Sequence, residues 1–320
     1  MMLRVAVQMD PLERINIAAD STFAIMLKAQ KLGHELFHYA PEDLSWADGR
    51  LWAMAHPVTV QRVPGNHYRF GEPRSLDLGR DVDVVLMRQD PPFDLGYITA
   101  TYLLERIQGE TLVVNDPRQV RNAPEKVWVL DFAQFMPPTT ITRSLGLARK
   151  FLADQGDIVI KPLHGFAGGS VFRIGPDGRN LASLMELFNR AYREPHVLQK
   201  FIPEIAQGDK RIVLVDGDFA GAINRLPGEG EIRSNLAVGG KAVKTKLTGR
   251  EQEICAALAP ELKKRGLLFV GIDVIGGQWL TEINVTSPTG IVVIDEFNGT
   301  DTPGLIWRAI ERRLGRAGAA

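Results

Sequence analysis

The chain has 320 residues, 45% of them hydrophobic, with 38 Lys plus Arg against 38 Asp plus Glu. That length can bury a core for two domains or a few closely packed subdomains, and a formal net charge of zero leaves no summed field to hold the chain on nucleic acid or an anionic membrane. Small-molecule chemistry is the expectation, with neither nucleic acid nor membrane as partner. The one cysteine, Cys255, has no partner for an internal disulfide, the N-terminus reads as neither leader nor anchor, and no apolar run approaches the ~20 residues of a membrane span, so the expected location is the cytoplasm.

Residues 3–9 read as a short apolar strand ending at Asp10-Pro11, and Asp20-Ser21-Thr22 caps a helix that runs to Leu32 and stops at Gly33. A second strand is expected near residues 35–39. After an irregular stretch rich in Trp, His and Pro come a strand over 83–87, a helix over 97–108 and a strand over 112–114, an alternation that predicts a parallel α/β sheet. The charged, Pro-containing run 115–126 reads as a junction, with a boundary near residue 122. Beyond it strands, hairpins and glycines become denser. A strand over 158–161, a Gly-rich turn over 165–169, a helix over 181–192 and a strand over 197–201 predict an α+β lid spanning 123–202. The remainder, 203–320, holds a hairpin turning at Asp216-Gly217, a Gly-rich loop over 227–241, a helix over 251–265 and two strands between 267 and 284.

His34-Glu35-Leu36-Phe37-His38 matches the H-E-x-x-H zinc-protease pattern, whose chemistry needs a helix to bring its two histidines onto one face. Here Gly33 ends the helix and the motif falls in a strand, where residues four apart are separated by about 13 Å at ~3.3 Å per residue. No zinc is assigned, and the two histidines are expected to be partly exposed.

Gly276-Gly277 separates two apolar runs and reads as a two-residue hairpin loop, which sets Ile275 opposite Gln278 and Asp273 opposite Leu280. Asp273, Glu282 and Asn284 then share one face, the two carboxylates as diagonal neighbours able to reach a common hard cation. Charges inside a Val/Ile/Leu-rich pair of strands are expensive unless a metal or partner neutralises them. Lys161 ends an apolar strand and precedes Gly165, Gly168, Gly169 and Ser170, a turn able to aim backbone N–H groups at phosphate oxygens. It lacks the P-loop spacing, and an ordinary hairpin turn is the competing reading. Arg211 and Arg225 bracket the Asp216-Gly217 hairpin, where planar donors suit phosphate or developing negative charge but equally suit surface salt bridges. The loop over 227–241 has the composition of a mobile cover. Arg88-Gln89-Asp90-Pro91-Pro92-Phe93-Asp94 ends a strand where open α/β sheets place ligands.

Together these segments resemble the prokaryotic glutathione synthetases. The similarity rests on Met9-Asp10-Pro11, Asp90-Pro91-Pro92-Phe93-Asp94, Asn115, Glu125-Lys126, Lys161-Pro162-Leu163, Gly208-Asp209-Lys210-Arg211, Asn235-Leu236-Ala237, Phe269-Val270-Gly271-Ile272-Asp273 and Thr281-Glu282-Ile283-Asn284-Val285-Thr286-Ser287-Pro288-Thr289. It spans nearly the whole chain. The resemblance implies an N-terminal substrate domain followed by a two-subdomain ATP-grasp fold, and ligation of γ-glutamylcysteine to glycine through an acyl phosphate, giving glutathione, ADP and phosphate. It implies that Lys126 and Lys161 hold phosphates, that Gln199, Lys200, Phe201 and Ile202 meet adenine through their backbone, and that Asp209 reaches the ribose. Asp273, Glu282 and Asn284 would bind two Mg²⁺, with Mn²⁺ able to substitute. Arg211 and Arg225 would stabilise the transferring phosphoryl group and the tetrahedral oxyanion. Ser287, Pro288, Thr289 and Gly290 would line the peptide and glycine pocket, with Arg233 supplied by the closing loop, and Arg88 at its strand end is a further expected substrate-binding residue. A homotetramer is the implied assembly.

His164 departs from the pattern, because the family often carries Asp there. Two other readings stand beside this one: a different ATP-grasp ligase, of the D-alanine–D-alanine or glutamate-adding kind, and an ATP-binding regulatory protein without turnover. The Asp90–Asp94 and Ser287–Gly290 segments weigh against the first. Retention of all metal ligands and phosphate lysines weighs against the second.

Overall fold

The computed structural model describes residues 2–165, 168–236 and 239–317. Phe166 and Ala167 of the Gly-rich turn and Ala237 of the large loop lie outside the described residues.

An apolar run forms β1 (Arg4–Gln8), and the Asp20 carboxylate accepts from Phe23 N at 2.6 Å to start α1 (Ser21–Lys31). β2 (Glu35–Tyr39) lies parallel to β1. The stretch expected to be irregular instead forms four strands: β3 (Leu44–Ala47), β4 (Arg50–Val60), β5 (Tyr68–Phe70) and β6 (Arg74–Asp77). β4 is their hub, antiparallel to β2, β3, β5 and β6. Leu51, Ala53 and Ala55 point into the core while Met54 is exposed, the period-two pattern of a half-buried strand. His56 and Pro57 within β4 obscure that alternation in the sequence. β7 (Val84–Met87) pairs parallel with β1, and after α2 (Leu95–Glu105) β8 (Leu112–Val114) pairs parallel with β7. The strand order is β3-β4-β2-β1-β7-β8.

The junction contains α3 (Pro117–Asn122). Then come β9 (Thr139–Thr142), α4 (Leu145–Gln155), β10 (Ile158–Pro162), β11 (Phe172–Ile174), α5 (Leu181–Ala191) and β12 (His196–Lys200). These strands form an antiparallel sheet in the order β11-β10-β12-β9, against which Phe151, Met185 and Phe188 of α4 and α5 are buried. β13 (Asp209–Val215) and β14 (Asp218–Leu226) are joined by Asp216 and Gly217, both in left-handed backbone at φ 52° and 80°, as a two-residue type I′ turn requires. With β15 (Lys241–Lys244), β16 (Phe269–Ile275) and β17 (Trp279–Asn284) they make a five-stranded antiparallel sheet, which α6 (Gly249–Lys264) covers with Ile254, Leu258 and Leu262.

α7 (Ile291–Asn298) and α8 (Thr302–Ala317) return the chain to its beginning. Trp307 is fully buried and donates its Nε1 proton to Ile25 O at 3.0 Å, while Ile306 and Ile310 share one core with Phe23 and Met26 of α1 and with Val213 of β13. The H-E-x-x-H segment runs from His34, just before β2, into β2 itself, so the helical geometry that zinc needs is not there. Both of its histidines are buried, not partly exposed as expected. His34 packs edge-on against Trp307 with centroids 4.9 Å apart, and His38 lies 5.4 Å from Phe70. Their covers come from distant segments. No described helix is long and apolar enough to cross a membrane.

Candidate active site

Strand pairing assembles a row of charges on the five-stranded sheet. Asp209 lies opposite Arg225, Arg211 opposite Asp273, and Asp273 opposite Glu282. The last pair corrects the expected register. Gly276, Gly277 and Gln278 form a three-residue loop, Ile275 pairs with Trp279, and a bulge between Asp273 and Val274 absorbs Thr281, so the two carboxylates face each other directly instead of diagonally. Gly276 and Gly277, at φ 62° and 65°, supply the left-handed backbone that this longer loop needs.

Every charge in the row is paired. Asp273 accepts from Arg211 Nε at 2.6 Å and Nη2 at 3.0 Å, and Arg225 Nη2 stands 3.1 Å away. Burial pushes its carboxyl up, but the two guanidiniums outweigh burial and hold it well below the usual carboxylate range. Arg225 also grips Asp209 through two bonds of 2.7 and 2.6 Å. Glu282 Oε1 lies 3.4 Å from Lys126 Nζ and 3.4 Å from Lys161 Nζ. Burial would raise its pKa, and the two lysines lower it instead. Lys126 also donates to Glu125 at 3.0 Å. Burial disfavours its charge, yet Glu282 and Glu125 hold its pKa above the ordinary lysine value. Glu125, unlike Glu282, is raised above the ordinary carboxylate value, because burial pushes its carboxyl up, Lys126 only partly offsets this and Glu282 adds to it.

Two clefts flank this row. The first is lined by Lys126, Lys161, Gly165, Gly168 and Gly169 on one side and by Asp273 and Glu282 on the other. Gln199, Lys200, Phe201 and Ile202, running from β12 into the following segment, form a further wall with Asp209. The second cleft is lined by Asp90, Arg211, Arg225, Asn284 and the run Ser287, Pro288, Thr289 and Gly290. Glu282 and Asn235 belong to both linings, so the clefts meet there.

Arg233, Ser170 and Arg88 sit elsewhere than expected, while Asn284 stays beside Asp273. Arg233 lines the first cleft, bridged to Glu231 at 2.9 Å, and not the substrate side. Ser170 is exposed at φ 55° and meets Tyr192 Oη at 3.4 Å, away from the cleft lining. Asn284 faces the second cleft, with its amide nitrogen 3.5 Å from Asp273 Oδ2. Arg88 is buried behind the wall, donating to Thr22 Oγ1 at 3.0 Å and Pro288 O at 2.8 Å, with its guanidinium 5.0 Å from the Phe269 ring centroid. It holds the Ser287–Gly290 run from outside.

Asn115 has a framework role that its residue type alone does not reveal. Its side chain accepts from Phe269 N at 2.8 Å and donates to Phe269 O at 2.7 Å and Val285 O at 2.8 Å, tying the end of β8 to the strands that carry the carboxylates. The signal was a lone amide directly after an apolar strand.

The donor set suits a hard cation. Asp273 and Glu282 offer carboxylate oxygens and Asn284 an amide oxygen, the types that magnesium takes while leaving positions for phosphate and water. Among the described residues no three His, Cys, Asp or Glu side chains gather to enclose an ion, so a metal here would share its shell with ligand oxygens.

Comparison with known proteins identifies the family. The family model of the prokaryotic glutathione synthetase N-terminal domain matches residues 3–121, and that of the prokaryotic glutathione synthetase ATP-grasp domain matches residues 125–299. The glutathione synthetase of Bradyrhizobium diazoefficiens is 55% identical over 98% of this chain and 99% of its own length. That of Synechocystis is 45% identical, over 93% of this chain and 95% of its own, and that of Vibrio cholerae 41% identical, over 98% of each. Among solved structures, the D-cycloserine synthetase DcsG superposes with a TM-score of 0.66 at 19% identity, covering 97% of this chain and 99% of its own, and the ATP-grasp ligase PsnB with 0.64 at 16% identity, again over 97% and 99%. These two speak for the fold alone. The chain thus belongs to the prokaryotic glutathione synthetase family and is an enzyme of glutathione biosynthesis, an ATP-grasp ligase that forms a carbon–nitrogen bond.

Proposed function

We propose that the chain joins γ-L-glutamyl-L-cysteine to glycine with ATP, through an acyl phosphate, releasing glutathione, ADP and phosphate. The observation that carries this reading is the meeting of two clefts at Glu282 and Asn235, with four cations ranged around two carboxylates. A carboxylate is a poor electrophile, so phosphorylation must first give it a leaving group. The first cleft takes ATP, with adenine along Gln199, Lys200, Phe201 and Ile202, the ribose at Asp209, and the phosphates at Lys126, Lys161 and the glycines of the turn. Mg²⁺ held by Asp273, Glu282 and Asn284, as two ions that Mn²⁺ replaces, would balance phosphate charge when bound. Lys126 and Lys161 exchange Glu282 for phosphate oxygens. Arg211 and Arg225, already beside Asp273, stabilise the transferring phosphoryl group and then the oxyanion formed when the glycine amine attacks. Ser287, Pro288, Thr289 and Gly290 hold the dipeptide and glycine, with Arg88 bracing them from behind. Arg233 lies on the nucleotide side and seals it as the loop closes.

On the same reading the chain divides into a substrate domain over 1–122, a lid over 123–202 and a catalytic subdomain over 203–320, and works in the cytoplasm as a homotetramer. Phosphate release from MgATP tests the reaction: it is expected only when γ-glutamylcysteine and glycine are both present. Equal release with a pair of D-alanines, or none with either, would sink it.

A further inference from the structure

We infer that a small recess beside the second cleft receives the side chain of the dipeptide's C-terminal residue, and that Phe93 and His164 set the size of side chain admitted. This rests on the function proposed above. The space is lined by Pro91, Phe93, Pro124, Glu125, His164 and Thr286. These residues come from four separate segments: the loop after β7, the residues before Lys126, the turn after β10, and the chain just past β17. The Phe93 ring lies 5.7 Å from the His164 ring and 5.3 Å from Tyr97, so the wall is two rings wide and is backed by a buried tyrosine.

Its position follows from what it shares. Pro91, Glu125 and Thr286 also line the second cleft, so the two spaces adjoin. Glu125 O accepts from Ile283 N at 3.2 Å, and Thr286 stands two positions after Asn284, which places the space beside the carboxylate-bearing end of β17. On the proposed reading the substrate carboxylate meets the transferred phosphoryl group near this edge and carries its side chain on the neighbouring carbon, so that side chain must find room beside it. Glycine has no side chain to place there.

The dimensions then select. The space has a cavity volume of about 10 Å³, so a short side chain such as CH₂–SH already meets its walls, and a branched or longer chain requires those close-packed walls to move. Two prolines and a phenylalanine give it apolar walls, appropriate to a thiol that behaves as a small hydrophobe. Burial lowers the pKa of His164 against the pull of Glu194, so the imidazole forms this wall in its neutral state. An aspartate at the same position would put a charge where the His164 ring now packs on Phe93.

The test compares wild type with His164→Ala and Phe93→Ala. Each is assayed for kcat/KM with γ-glutamylcysteine and with γ-glutamylleucine as donors to glycine, and with γ-glutamylcysteine as donor to L-alanine. Opening the wall is expected to shift the leucine-to-cysteine donor ratio upward by at least about 10-fold, the scale of one methylene's worth of room in an apolar pocket, with KM for MgATP unchanged and L-alanine used no better. His164 lies in a turn, so its variant serves even if Phe93→Ala fails to fold. A donor ratio unchanged in His164→Ala, or a gain confined to the L-alanine acceptor, overturns the inference. A wild type inactive on γ-glutamylcysteine and glycine overturns the proposed function and this inference with it, whereas an active wild type with an unshifted ratio overturns only this inference.

Discussion

β1 and β16 both lie inside their sheets and both are almost entirely buried, yet they are built differently. β1 places Val5, Ala6 and Val7 between β2 and β7 and keeps its polar residues at the ends. β16 carries Asp273 between Arg211 on one neighbour and Glu282 on the other. The contrast separates scaffold from device. In β1, burial of apolar surface does the stabilising. In β16, the charge persists because Arg211 and Arg225 surround it, and an ion group of that kind contributes little net stability while making removal of any one member costly. On the proposed function such a lattice is also exchangeable, its cations turning to phosphate and its carboxylates to metal.

The sharpest way to break this contrast is Glu282→Gln, which keeps the shape of the side chain and removes its charge. Turnover is expected to fall by on the order of 10³-fold or more, with the circular dichroism spectrum retained. Unaltered catalysis would show that the facing carboxylates are structural only. Next in size is a matched pair of truncations followed by urea unfolding. Asp273→Ala leaves two buried guanidiniums short of a partner and is expected to cost about 3–5 kcal/mol together with activity. Leu86→Ala in β7 opens a cavity costing about 2–5 kcal/mol, while KM for MgATP in the folded fraction stays unchanged. Equal effects of the two on KM would erase the distinction. The smallest effect concerns Asp216, where burial raises the carboxyl but Arg313 and Arg312 outweigh it and lower the pKa below 3.8. A lowered carboxylate stabilises the fold fully above its unfolded pKa and loses that contribution as pH falls through its folded value. Wild type should therefore be more stable than Asp216→Asn at neutral pH, with the two stability curves converging only below pH 3.8. Parallel curves down to lower pH would rule out the ion pair as the cause.

Much of the fold was legible because local signals agreed with tertiary demands. The Asp20 cap, the Asp216-Gly217 turn and the apolar strands 84–87 and 112–114 each carry their own physical cause. β3 to β6 were not legible, because His56 and Pro57 interrupt a pattern that β4 completes only through four partners. The facing of Asp273 and Glu282 was half legible. Alternation put both on one side, but the bulge that brings them directly opposite leaves no mark in residue types. Arg88 and Arg233 illustrate the remaining difficulty. An arginine in a motif looks the same whether its guanidinium meets a ligand or a backbone carbonyl, and only the fold places Pro288 O within its reach. The buried histidines were misjudged for a related reason, since Trp307 stands 273 positions beyond His34.

That distance also bears on how the chain comes into being. α8 completes the burial of α1, joined to it by Trp307, and Asp301 just before α8 pairs with Lys28 at 2.6 Å. During synthesis the N-terminal sheet leaves the ribosome long before the helix that covers it. At about 5–20 residues per second, α1 waits on the order of tens of seconds with its outer face open. A cell making this enzyme must shelter that half-finished surface through the interval, and a fragment cut between the two sequence-matched domains would never outgrow the need.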